Sequence, residues 1–293
     1  MDEISLLAQQ FEAYRAYLRG VAYRMLGSRS EAEDAVQEAW LRLSRSAHRN
    51  IENLGGWLTT VVARVCLDLL RTRSSRREES LESDASQDAL SREVGGDPEQ
   101  ELLLANSIGL ALLVVLDTLT PAERIAFVLH DMFDLPFEEI ASVVGRSPLA
   151  ARQLASRARR RVRGTTDLSA ADLTRQRQVI DAFLTASRSG DFDSLIALLD
   201  PDVVLHADRG PAGVPTEIRG ASRVARQALA YSRNVRFAQP ALVNGIIGIL
   251  VAPQGRLSVV LEFKIRDAKI FEVDVITEPM RLRELDLAIA SEN

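Results

Sequence analysis

Residues 78–101, EESLESDASQDALSREVGGDPEQE, hold nine acidic residues against the single Arg92, with serines, a Gly-Gly pair and a proline. A stretch that buries so little apolar surface cannot offset the entropy of ordering its backbone, so it reads as a flexible acidic linker. It therefore divides the 293-residue chain into parts that fold around separate cores. A prior of roughly 150 residues per domain agrees with two or three compact units. An apolar content of 46% is enough to fill their cores.

Before the linker, residues 6–77 repeat apolar side chains at helical spacing. Ser28 with Glu31 three residues on predicts a capping box. Ala32, Val36, Ala39 and Leu43 then form an inward stripe, while Glu31, Asp34 and Glu38 share another face. A further helix, GGWLTTVVARVCLDLLR, follows Gly55 and Gly56 and runs into Arg71, Arg73, Arg76 and Arg77. Beyond the linker, periodicity resumes at Leu102. The apolar run to Leu116 is broken by Asn106, Ser107 and Gly109 and is shorter than the roughly 20 residues of a membrane span, so it reads as a buried helix. Thr120, Pro121 and Glu123 spell a second capping box, opening a helix to about Met132. Phe137, Ile140, Ala141 and Val144 mark a shorter helix ended by Gly145, and Ser147 and Pro148 start another. Helix, three-residue turn with glycine, helix is the helix-turn-helix arrangement.

That last helix lies in RSPLAARQLASRARRRVRG (146–164), dense in arginine although the chain's formal net charge is −5. An acidic chain does not coat DNA nonspecifically, so its basic charge serves nucleic acid only if gathered on one face. Leu154, Ala158 and Val162 fall at i, i+4 and i+8 and mark the inward face. Arg152, Ser156, Arg159 and Arg163 share another, with Gln153, Arg157 and Arg160 beside it. Arginine bonds guanine bidentately and glutamine bonds adenine, so Arg152 and Gln153 suit base reading. Arg157, Arg159, Arg160, Arg161 and Arg163 suit phosphates. A solvated basic helix would carry the same charges.

After Gly164 a polar joint, TTDLSAAD, precedes a different pattern. Leu173 to Ser189 predicts a helix closed by Gly190, and Asp191 caps a second through Leu199. Val259, Leu261, Phe263 and Ile265 alternate with Val260, Glu262, Lys264 and Arg266, and Phe271, Val273 and Val275 repeat the alternation. Residues 170–293 thus read as helices followed by an antiparallel sheet, an α+β domain. The one cysteine, Cys66, reads as a small buried hydrophobe and permits neither an internal disulfide nor a zinc cluster. The start, MDEISLLAQQ, has no basic segment before an apolar one, which with the lone cysteine leads us to expect a cytoplasmic protein with no membrane partner.

Three of these segments, in this order, resemble regions 2 and 4 of extracytoplasmic-function (ECF) sigma factors of the sigma-70 family: GSRSEAEDAVQEAWLRL, GGWLTTVVARVCLDLLRTRSSRRE and LTPAERIAFVLHDMFDLPFEEIASVVGRSPLAARQLASRARRRV. The resemblance covers residues 8 to 163, with the linker in place of region 3. It implies two all-α sigma domains, a region 2 helical bundle (6–77) and a region 4 helix-turn-helix (102–164). Their joint function would be that of an alternative sigma factor, binding core RNA polymerase and recognising −10 and −35 promoter DNA to initiate transcription. By position, Glu31, Asp34, Gln37 and Glu38 match the contact to the clamp of the largest polymerase subunit, with Trp40 either beside it or packed in the core. Trp57, Arg64, Asp68, Arg71, Arg73, Arg76 and Arg77 match the part that opens the −10 element and holds a flipped base. Many relatives have asparagine at Arg64. Ser147, Arg152, Gln153, Ser156, Arg157, Arg159, Arg160 and Arg163 match the −35 reader, in a region that also meets the flap of the second subunit. The acidic linker matches the segment threaded through the polymerase.

Residues 170–293 resemble the SnoaL-like (NTF2-like) cone domain carried by one group of these factors. There it modulates the sigma activity from within the same chain, with no dedicated anti-sigma factor expected. This chain has DRGPAGVPTEIRG (208–220) where relatives carry a DGGGK-type loop, and EPMRL (278–282) where they carry an NPDKL-type motif. Enzymes also use the fold. His206, Asp208 and Asp274, with Asp202, are candidates for a pocket serving proton transfer or a small-molecule ligand. Two other functions stay open at this point: a ligand-responsive helix-turn-helix regulator that binds DNA alone, and a cyclase- or isomerase-type enzyme. The acidic balance and the separate region 2 motif count against the first, and the lack of any fixed spacing among the pocket residues against the second. No cofactor, metal set or catalytic residue is implied.

Overall fold

The computed structural model describes residues 3–45, 51–82, 109–208 and 214–290. Its helices are α1 (Glu3–Leu26), α2 (Arg29–Arg45), α3 (Leu54–Glu82), α4 (Leu110–Asp117), α5 (Pro121–Phe127), α6 (Phe137–Val144), α7 (Pro148–Arg163), α8 (Ala170–Ser189), α9 (Phe192–Leu198), α10 (Ala221–Ala230) and α11 (Pro279–Glu284). The chain forms two compact units, Met1–Glu101 with Leu119–Arg160, and Leu102–Thr118 with Arg161–Asn293. The division passes through the region 4 segment rather than around it. Of the acidic linker expected at 78–101, the first five residues continue α3, since arginine and glutamate favour helix and the preceding turns supply the nucleus. The rest lies outside the described residues, as do 102–108 and His48.

In the first unit, α1, α2 and α3 pack on one another and α3 also meets α5 and α6. Leu18, Met25, Leu43, Leu58, Leu67, Ile125, Leu129 and Ile140 are fully buried there. The stripe of Ala32, Val36, Ala39 and Leu43 is buried as its spacing requires. The backbone N–H of Glu31 donates to Ser28 Oγ at 3.5 Å, but the Glu31 carboxylate does not complete the expected box. It takes Arg73 Nε instead at 3.2 Å, a bond charged on both partners where the backbone N–H would be charged on one. At Thr120 the box is complete in both directions, with Pro121 in the first turn. A π-helical turn, Val128–Met132, extends α5, and Gly145 in the left-handed conformation closes α6.

On α7, Ala158 and Val162 of the expected inward stripe are buried and Leu154 is not fully so. Ala151 and Ala155 are buried as well.

The second unit holds β1 (Leu199–Ala207), β2 (Thr216–Arg219), β3 (Ala238–Val243), β4 (Ile246–Val251), β5 (Val259–Arg266), β6 (Lys269–Ile276) and β7 (Leu287–Ala288). They form one sheet in the order β2-β1-β6-β5-β4-β3-β7. The sheet is not wholly antiparallel as expected, because β1 pairs β6 in parallel. β1 has its own antiparallel partner, β2, on one edge and leaves the other for the last long strand. On one face α8, α9 and α10 enclose a core of Ile180, Phe183, Leu195, Val203, Val224, Phe263 and Val273, with the rings of Phe183 and Phe263 5.4 Å apart. Ser169 caps α8, Gly190 ends it and Asp191 caps α9.

The region 4 segment enters this unit twice. Helix α4, buried at Leu110, Leu113, Val114, Val115 and Leu116, lies against β3 and β7. Its first turn is held by Gln239 of β3, whose Oε1 accepts the Ala111 N–H at 3.0 Å. At the end of α7, the Val162 carbonyl accepts the Ile289 N–H at 2.8 Å. Gly164 follows at φ +64°, and a Cβ there would stand 2.3 Å from the Ala288 Cβ. Only glycine meets both conditions.

Candidate functional site

Arg64, Asp68 and Arg71 lie at i, i+4 and i+7 along α3, and all three are exposed on one face, with Arg76 exposed further along. Trp57 is half-buried in the first turn. Arg64 Nη2 donates to the Ser142 carbonyl of α6 at 3.1 Å. Arg73 stands apart from this face, bonding Glu31 and the Leu26 carbonyl at 3.0 Å, which ties α3 to the start of α2. The pair engages both side chains within the first unit, each about one-third exposed. The Arg77 side chain lies outside the described residues. On α2, Asp34 and Gln37 are exposed, and Glu38 binds Arg42 at 2.8 Å. Trp40 is half-buried with its ring centroid 5.1 Å from that of Phe11, so its packing role is satisfied locally. Cys66 is buried, and burial pushes its thiol up to about 12, with the Arg124 charge opposing.

On α7, Ser147 Oγ accepts the Ala150 N–H and so starts the helix. Arg152, Gln153 and Ser156 are exposed on its N-terminal half, Arg160 and Arg163 on its C-terminal half. The Arg152 guanidinium lies 5.3 Å over the Phe137 ring, which is stacked on His130. Two of the arginines expected on phosphates are engaged otherwise. Arg157 Nε donates to Glu123 Oε1 at 2.9 Å, and Arg159 Nε to Asp131 Oδ1 at 2.7 Å. Glu123 is nearly buried, and a carboxylate there requires a cation or several donors.

In the second unit His206, Asp208 and Asp274 line one open cavity of about 540 Å³, together with Glu217, Glu278 and Arg281. Asp202 is exposed and takes no part in it. His206 Nδ1 lies 3.6 Å from Glu217 Oε2. Glu272, absent from the sequence-derived set, joins His206 and Asp274, because parallel pairing sets β6 beside β1. Its only sequence signal was a place two residues before Asp274 on the polar side of a strand.

Asp208 has a structural task. Its carboxylate accepts the Thr277 N–H at 2.9 Å, the Thr277 hydroxyl at 2.7 Å and the Glu278 N–H at 3.1 Å, with Arg281 at 3.4 Å. Burial pushes its pKa up, but the bonds from Thr277 and Glu278 and the Arg281 charge outweigh this and hold it below the ordinary carboxylate value. Stability from a depressed pKa is complete above the unfolded value, about 3.9, and is lost as pH falls through the folded one. Asp208→Asn is thus expected to cost about 1–3 kcal/mol at pH 7 and less at about pH 3, where the unfolded carboxylate has begun to protonate. Urea melts at the two pH values measure this, and an equal loss at both would contradict it.

Comparison with known proteins agrees with the geometry. The model for Sigma-70 region 2 matches residues 10–76 and that for Sigma-70, region 4 matches 109–162. The probable ECF RNA polymerase sigma factor SigI of Mycobacterium tuberculosis is 36% identical over 288 residues, 97% of this chain and 98% of that protein. The ECF RNA polymerase sigma factor SigJ of the same organism is 40% identical over 252 residues, 83% of this chain and 80% of that one. The crystal structure of Mycobacterium tuberculosis SigJ aligns at a TM-score of 0.44 and 32% identity, covering 93% of this chain and 96% of that one. Helical regions 2 and 4 in this succession define an alternative sigma subunit, which binds core RNA polymerase and promoter DNA. The chain belongs to the ECF RNA polymerase sigma factors, and its helical sigma regions are followed by an α+β sheet domain. Among the described residues no helix is long and apolar enough to cross a membrane.

Proposed function

We propose that the C-terminal α+β domain acts in cis as the structural partner of region 4, so that promoter choice depends on it. The observation that carries this is the place of α4 and of the end of α7. Both fall inside the 109–162 region 4 match, and both are built into the unit that holds the sheet. A factor organised this way has its modulator attached and needs no dedicated anti-sigma factor. The exposed acidic side of α2, Asp34 and Gln37 with Glu38, suits a basic patch on the clamp of the largest polymerase subunit. The tip of region 4 suits the flap of the second. Arg64, Asp68, Arg71 and Arg76 serve the −10 element, and α7 serves the −35 element. The C-terminal cavity suits a small ligand rather than catalysis, since Asp208, the acid nearest His206 along the chain, is committed to the Thr277 and Glu278 donors.

The reading on α7 is tested by two substitutions. Arg152 and Gln153 sit where a recognition helix meets base edges, and Arg160 and Arg163 where it meets phosphates. Arg152→Ala is expected to change the preferred −35 sequence, costing about 1–3 kcal/mol, or five- to 150-fold, on the present best site and little on others. Arg160→Ala is expected to weaken all promoters alike. Run-off transcription by the reconstituted holoenzyme on a library of −35 variants separates the two. Uniform loss from Arg152→Ala with altered preference from Arg160→Ala would place the opposite side of α7 on the bases.

A further inference from the structure

The C-terminal sheet gathers a set of groups that neither promoter reading nor polymerase binding uses. His206 of β1 is the register partner of Asp274 of β6, and Glu272 precedes Asp274 by two, which puts it on the same side of the pleat. One ligand atom from each of the three lies within 4.8 Å of the other two. A single ion at about 2.0–2.2 Å from each donor would hold two of them up to about 4.3 Å apart. Small rotations of half-buried side chains close the difference. The donors stand on paired strands rather than loops, so the spacing is fixed by the ladder.

The surroundings favour a cation. Glu262 of β5 is the partner of Asp274, and Lys264 that of Glu272. Lys264 Nζ rests 2.7 Å from Glu272 Oε1, so these carboxylates already hold one positive group, on a flexible stem and half exposed. Glu262 is engaged separately, accepting from Asn244 Nδ2 at 2.8 Å. On the outer side, Glu217 faces Nδ1 of His206 at 3.6 Å. Glu217 makes no hydrogen bond to the ring at this distance, being held by Arg219 at 2.6 Å, but its charge adds to the negative potential there. His206 and Asp274 also line the 540 Å³ cavity, which has space for waters or an anionic ligand in the remaining coordination positions.

We propose that His206, Glu272 and Asp274 form a binding site for a first-row divalent transition ion, Zn²⁺ or Mn²⁺, with its open positions facing the cavity. One imidazole with two carboxylates suits these ions, whereas Mg²⁺ disfavours nitrogen and retains its water. The ion clamps β1 to β6 and replaces the Lys264 ammonium on Glu272. The site is independent of how the chain reads promoters, and its failure would leave that reading intact.

The test is calorimetric titration of the chelator-stripped full chain with Zn²⁺, Mn²⁺ and Mg²⁺. One Zn²⁺ or Mn²⁺ per chain is expected, with no heat from Mg²⁺. Asp274→Asn is expected to weaken binding at least tenfold, as second-ligand losses commonly do at metal sites. Lys264→Met removes the competing ammonium and is expected to tighten binding severalfold, an outcome that a misfolded protein cannot produce. His130→Gln, at a histidine far along the chain, is expected to bind as the wild type does. No binding by the wild type at about 1 mM ion, or unchanged affinity in both Asp274→Asn and Lys264→Met, overturns the site. If Asp274→Asn does not fold, His206→Gln and the Lys264→Met gain decide it.

Discussion

Tying residue 64 to residue 142 with a short covalent linker is expected to lower promoter-dependent transcription by about 100-fold. In the first unit Arg64 of α3 donates to the Ser142 carbonyl of α6, and Tyr17 and Arg24 close on Phe133 at 5.5 and 5.2 Å. The −10 and −35 elements centre about 25 base pairs apart, or about 85 Å at 3.4 Å per step. Helices joined by one hydrogen bond cannot reach both, so the packed form must open before a promoter is bound. Cysteines at 64 and 142, joined by a bis-maleimide no longer than the arginine side chain removed, hold it shut. The remaining thiol does not interfere, because Cys66 is buried and burial pushes its thiol up to about 12. The comparison is run-off transcription by the same double variant before and after crosslinking, which cancels the loss of Arg64 itself. Undiminished transcription after complete crosslinking would show that both elements are read without separating α3 from α6.

The sequence showed the local devices of this fold and little of what joins distant segments. Thr120 with Glu123, Gly145, Gly190 and Asp191 begin or end helices through bonds spanning three or four residues, so residue type and spacing are enough to place them, whereas the Ser169 cap ahead of the expected start at Leu173 was missed. The face of α7 was harder. Leu154 is the more hydrophobic candidate, yet Ala151 and Ala155 are buried and Leu154 is only half-buried. The pairing of Glu31 with Arg73 spans 42 residues and that of Arg159 with Asp131 spans 28, and no periodicity reports either. Strand alternation revealed β5 and β6 but was silent on register, so the parallel contact that sets Glu272 and Asp274 beside His206 emerged only from the fold. For the same reason the exposed faces of α3 and α7 were legible, whereas the engagement of Arg73, Arg157 and Arg159 was not.

Ending the chain after Arg163 is expected to reduce −35-dependent transcription at least tenfold. Leu110, Leu113, Val114, Val115 and Leu116 are buried in the unit that would be removed. Each fully buried aliphatic side chain contributes about 1.5–3 kcal/mol, so re-exposing two or three costs about 5 kcal/mol. That equals the lower range of a whole domain's stability. The Ala111 N–H also loses Gln239, and the Val162 carbonyl loses Ile289 at the end of the recognition helix. The core formed by Leu18, Met25, Leu43 and Leu58 lies in the other unit and survives, so polymerase binding through region 2 should change little. A milder variant, Gly164→Ala, puts a methyl group into the Ala288 Cβ at a left-handed φ and is expected to act in the same direction with smaller size. Run-off transcription from promoters with and without an intact −35 element measures the dependence, and pull-down with core polymerase measures the part that should persist. If the truncated chain transcribes as well as the whole one, α4 finds equal cover elsewhere, and the sheet is a passenger rather than a partner of region 4.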